Sequence, residues 1–102
     1  MGQPVHVQVM CYDEVPSIER VNRWLDGLGL RRLMDVAPVI GGARLPVNSY
    51  CAIYDDLPLG EFLRQLRSIV WKDPERVYLC VQEGHSKPWV KAINQLPVSV
   101  AV

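Results

Sequence analysis

Tyr12, Asp13 and Glu14 follow an apolar run that ends at Cys11, and a Pro-Ser pair at 16–17 comes next. A carboxylate between a strand end and a helix start has two ordinary uses. It can bind a metal ion or move a proton, or it can sit near the helix N-terminus, where the dipole favours negative charge by about 0.3–1 kcal/mol. Asp13 is therefore the candidate catalytic and metal-ligating residue, with helix capping as the competing reading. Asp55 and Asp56 stand in the same relation to a second helical pattern, and there capping is the more natural use. The second group is cationic. Arg31 and Arg32 are adjacent, Arg44 lies in the next loop, and Arg20 and Arg23 fall on the first helix. Arginine pairs phosphate oxygens in a bidentate way, so Tyr12, Arg31, Arg32 and Arg44 form a candidate nucleic-acid-binding set. Against this stands the plain reading of solvated arginines with acids nearby. Tyr50, Tyr54 and Tyr78 join Tyr12 as residues that would stack bases if they lay on an open sheet face, as in RNA-binding sheets. His6 and His85, the only histidines, lack the Cys, Asp or Glu pattern of a metal site. There is no Gly-rich phosphate loop, no serine nucleophile elbow and no H-E-x-x-H.

Composition narrows the classes. A chain of 102 residues reads as one domain, 1–102, and is long enough to bury a core without disulfides. Eleven basic and eleven acidic residues give a formal net charge of zero, whereas dedicated nucleic-acid binders are usually basic. An RNA-binding role would need the basic residues gathered on one face. Three cysteines, Cys11, Cys51 and Cys80, make neither a complete disulfide framework nor a C-x-x-C motif. They read as structural thiols of a cytoplasmic protein. No segment has the pattern of a signal peptide or the length of a membrane span.

The elements that must position these residues follow from periodicity. Val5, Val7 and Val9 alternate with polar and flexible residues and give a strand ending near Tyr12. A helix begins at Pro16-Ser17, buries Ile18, Val21, Leu25 and Leu28, and stops at Gly27 and Gly29. A second strand covers Leu33–Ala37, residues 38–46 connect, and a third strand runs from Val47 to Tyr54. The clearest helical series is Leu59, Phe62, Leu63, Leu66, Ile69 and Val70. A turn at 72–76 leads to a fourth strand, 77–82. Trp89–Gln95 reads as a short helix, and Val98, Val100 and Val102 as a fifth strand that adds to a sheet edge. The order strand, helix, strand, strand, helix, strand is that of an α+β, ferredoxin-like βαββαβ domain: a four-stranded antiparallel sheet with two helices on one face, plus the C-terminal extra strand.

The stretch "VMCYDEVPSIERVNRWLDGLGL" resembles the opening of the small CRISPR-associated ferredoxin-like subunit of the spacer-integration complex, in which a first strand ends in Tyr-Asp. "GGARLPVNSYCAIYDDLPLGEFLRQL" (41–66) resembles the GhoS-type antitoxin family, which shares that fold. Together the resemblance covers residues 5 to 82 in order and spacing. It implies a homodimer that works on RNA, and, if the chain is an enzyme, an endoribonuclease. It also implies a metal-binding role for Asp13, with magnesium or manganese as the ion. The tail "PERVYLCVQEGHSKPWVKAIN" is similar, more distantly, to trimeric divalent-cation-tolerance proteins. The second functional class is a non-catalytic protein-protein interaction module, such as an inhibitor or antitoxin from a mobile element or phage. Small size and neutral charge favour it. The feature that separates the two classes is whether Tyr12, Asp13, Arg31 and Arg32 converge on one exposed surface.

Overall fold

The alternation that opens the chain becomes the middle of a sheet. The structure, a computed structural model, describes residues 4–36, 39–40, 43–44 and 48–96. In it β1 (Val5–Cys11) buries Val5, Val7, Val9 and Cys11 on one face and turns His6, Gln8 and Met10 to the other. Helix α1 (Val15–Gly27) lays Ile18, Val21 and Leu25 on the buried face. Gly29 takes φ +71° just past it, a left-handed position that glycine accepts without a steric penalty. The chain then forms β2 (Met34–Asp35), a small separate ladder of β3 (Val39–Ile40) with β4 (Ala43–Arg44), and β5 (Asn48–Tyr54). Helix α2 (Leu59–Ser68) follows, then β6 (Tyr78–Glu83) and β7 (Trp89–Ala92).

The five strands of the main sheet lie in the order β2-β5-β1-β6-β7, and every neighbouring pair is antiparallel. Phe62 and Leu66 from α2 enter the same core as the buried residues of α1, β1, β5 and β6, so both helices cover one face. Leu63, on the flank of α2, is only half-buried. The domain is thus α+β, with one antiparallel sheet and two helices.

Three expectations change. Trp89–Ala92 is not helical: it pairs with Tyr78–Val81 as an edge strand, and only Ile93–Gln95 makes a short 3-10 turn. Periodicity over so few residues is ambiguous. The open backbone edge of β6 decides it, because pairing satisfies donors and acceptors that would otherwise stay unpaired. The fifth strand of the sheet is therefore 89–92. The strand read at 98–102 lies outside the described residues. Part of the connection 38–46 forms the β3–β4 ladder, and the second strand is confined to Met34–Asp35.

Burial gives the core a measurable pH response. Cys11 is buried, and its thiol is pushed up from 9.0 to about 12, first by burial and then by the charges of Glu14 and Asp35. Burial likewise raises the Tyr54 phenol from 10.0 to about 12, with Arg31 opposing the rise. Its hydroxyl donates to the Arg31 carbonyl at 2.9 Å. Between pH 9 and 12 the unfolded chain releases these protons and the folded one holds them. Stability is fully present below pH 9 and falls as pH rises through this window. Urea unfolding at pH 8 and 10.5 should show the fall, and Tyr54→Phe should make it shallower. A flat profile would contradict the burial of both groups.

Candidate functional site

The chain must pass from the end of β1 to the start of α1 in three residues, and each side chain there has a different fate. Tyr12 is exposed. Asp13 takes φ +54°, a left-handed conformation that aspartate tolerates better than most residues. Its carboxylate points to solvent and pairs with the Lys72 ammonium, which this contact holds above its ordinary pKa. Both side chains are more than half exposed, so the pair is a weak fastening.

Glu14, the N-cap residue of α1, goes inward and is only 1% exposed. It does not cap the helix. Its Oε1 accepts the Lys72 backbone N–H at 2.9 Å and its Oε2 the Asp73 backbone N–H at 2.8 Å, while the Ser17 hydroxyl donates to Oε1 at 3.4 Å. Ser17, where the sequence places the start of the helix, sits inside its first turn. Asp13, Asp55 and Asp56 make no capping hydrogen bond: the N-caps are Glu14 for α1 and Pro58 for α2, and neither helix has a side-chain capping bond. What is left to these carboxylates is their charge near a helix N-terminus.

Arg31 and Arg32 lie at the other end of the sheet. Tyr54 holds the Arg31 carbonyl and pairs with Val5, the first residue of β1, whereas Tyr12 and Asp13 follow Cys11, the last. Six residue steps at about 3.3 Å each separate the two ends by roughly 20 Å. Arg32 is already occupied: Nε reaches Asp26 Oδ1 at 3.0 Å and Nη2 reaches Oδ2 at 2.5 Å. That fork holds the Asp26 carboxyl below its usual range. The Arg31 side chain borders a cleft of about 530 Å³ with Leu30, Ile53, Asp55 and Asp56, where carboxylates outnumber the cation. Arg44 falls in β4, and its side chain lies outside the described residues. Tyr50 and Tyr54 are buried in the core, so of the four tyrosines only Tyr78 is on the open sheet face.

Among the described residues no three His, Cys, Asp or Glu side chains gather to hold a metal ion, and no helix is long and apolar enough to cross a membrane.

The feature that sequence reasoning left undeveloped is the open face. Across it run Met34 and Val36, then Ser49, Cys51 and Ile53, then His6, Gln8 and Met10, then Tyr78, Cys80 and Gln82, and finally Val90. None is an acid, a lysine or an arginine. Met34, Val36, Ile53, Tyr78 and Val90 make up five of the nine large apolar residues left exposed among the described ones, and Met34 is 67% exposed. Large uncovered apolar patches on a folded chain mark interaction surfaces. The sequence did contain a signal: Met10, Cys51, Ile53 and Cys80 sit at the outward positions of their strands, where a solvated sheet would carry charge. No family model, curated protein or solved structure matches the chain.

Proposed function

We propose that this chain is a non-catalytic protein-interaction module on a ferredoxin-like plait, with the open sheet face as its binding surface. The observation that carries the reading is the absence of Asp, Glu, Lys and Arg from the strand residues of that face, together with its five exposed large apolar side chains. The order β2-β5-β1-β6 with two helices on the opposite face supports the plait, and β7 extends its edge. The RNA-cleaving alternative needs Tyr12, Asp13 and the arginines together. They occupy opposite ends of β1, Arg32 is paired with Asp26, and Asp13 is paired with Lys72. Free thiols at Cys51 and Cys80, both half-exposed, suit a reducing cytoplasm.

Ile53→Arg combined with Val90→Arg tests the reading. Both side chains are exposed, so the double variant should melt within a few degrees of the parent, as surface changes usually do. Used as bait in the native host, the parent should retain a protein that the double variant loses. Equal capture by both baits would overturn the reading. RNA recovered with both, cut in a manner that Asp13→Ala abolishes, would put the endoribonuclease in its place.

A further inference from the structure

The cross-strand register of the open face contains a pattern that says what sits on it. One row crosses the whole sheet: Met34 pairs with Cys51, Cys51 with Gln8, Gln8 with Cys80, and Cys80 with Val90. Read from either edge the chemistry is the same, namely apolar, thiol, amide, thiol, apolar, with Gln8 on the central strand as the midpoint. From this row we infer that the partner is a second copy of this chain, related by a two-fold axis that runs parallel to β1 over Gln8. The inference rests on the open face being the binding surface.

Such an axis reverses left and right. It lays Met34 against the partner's Val90, Cys51 against the partner's Cys80, and Gln8 against the partner's Gln8. An isologous contact requires a patch complementary to itself. Two properties of this one meet that requirement. The strand residues named on the face include no Asp, Glu, Lys or Arg, so no carboxylate, ammonium or guanidinium groups from the strands meet across the axis, a clash that would cost several kcal/mol. His6, also on β1, faces the partner's His6, and the charged cleft at Asp55 and Asp56 lies beyond the end of β5. The residue on the axis is an amide, which can donate and accept in the same contact. Gln8 donates one N–H to the Ser49 hydroxyl at 3.3 Å. Its second N–H and its carbonyl oxygen can serve the facing amide reciprocally. In the next row Ser49 and Tyr78 flank Met10, and the axis places each against the other's copy, small against large. Small opposite large is how two sheet faces interdigitate.

Facing sheets pack about 10 Å apart. A direct disulfide needs α-carbons within about 7 Å, so a short bismaleimide is the probe that can join Cys51 to the partner's Cys80. The same pair within one chain flanks Gln8 and is also within the reagent's span, and mixing variants removes that ambiguity. Cys51→Ser and Cys80→Ser proteins are prepared separately, each keeping the buried and unreactive Cys11. Light scattering should give the parent twice its 11.6 kDa. The mixture should yield a cross-linked species of doubled mass faster and in higher yield than either variant alone, whose like cysteines lie two strand spacings, roughly 10 Å, apart sideways across the axis. Gln8→Arg, which places two guanidinium groups on the axis, should raise the dimer dissociation constant on the order of 100-fold. A parent of monomer mass whose open face still captures another protein would overturn the second copy and leave the binding surface standing. A monomer whose double Arg variant captures as well as the parent would end both. A dimer that cross-links Cys51 to Cys51 or Cys80 to Cys80 in a single variant as readily as in the mixture, or that does not cross-link in the mixture, would overturn the axis.

Discussion

Glu14→Ala is expected to cost about 2–5 kcal/mol of folding stability, because it empties the site of a fully buried side chain and strands two part-buried backbone donors at once, each costing about 1–3 kcal/mol when left without an acceptor. Those donors are the Lys72 and Asp73 N–H groups, at 2.9 and 2.8 Å from the two carboxylate oxygens. Glu14→Gln keeps the shape but offers one acceptor where two are needed, so its cost should fall between the parent and the alanine variant, at about 1–3 kcal/mol. Asp13→Ala, one residue earlier, removes an exposed ion pair and should cost well under 1 kcal/mol. Urea unfolding of the three variants tests the ordering. If alanine at 14 costs less than alanine at 13, the connection from α2 to β6 is held by something other than this carboxylate.

Phe62→Ala should cost about 3–5 kcal/mol, the range for truncating a fully buried aromatic ring to a methyl group. Phe62 is completely buried, and its ring lies against Trp24 of α1 with centroids 6.1 Å apart. It joins the two helices to each other and to the sheet. For a domain of this size such a loss corresponds to a fall in Tm of roughly 15–30 °C. Calorimetry measures it directly. A fall of less than about 5 °C would mean that the core closes over the missing ring.

The alternating valines of β1 and the i, i+3, i+4, i+7 series of α2 were legible because burial on one face writes its own period into the sequence. The strand appears where that period places it and the helix does so through Leu66, but α2 ends at Ser68, leaving Ile69 in extended backbone and Val70 exposed. Residues 89–92 were not legible as a strand, since four residues carry too short a period and the decision rests with the edge of β6. Asp13 and Glu14 show the same limit at the site. Both are carboxylates at a helix start, and nothing local distinguishes the solvated one from the buried one. The distinction comes from the backbone at Lys72 and Asp73, which reaches Glu14 from 58 and 59 residues away. The candidate RNA set failed to gather for a related reason. Arg31 and Arg32 precede a strand parallel to β1, so they share an end with the start of β1 and not with Asp13.

The position of β1 has a consequence for synthesis on the ribosome. Of the five strands of this sheet it is the earliest in the chain, and it lies at the centre, with β5 on one side and β6 on the other. Its first flank cannot be covered until residues 48–54 have emerged, and its second waits for residues 78–83. Until then Val5, Val7, Val9 and Cys11 lack the part of their core that β6 supplies, and the central strand of the sheet remains unfinished. Nascent chains stalled before residue 78 should therefore be clients of whatever shields apolar segments at the tunnel exit, because the sheet cannot close before its fourth strand is made.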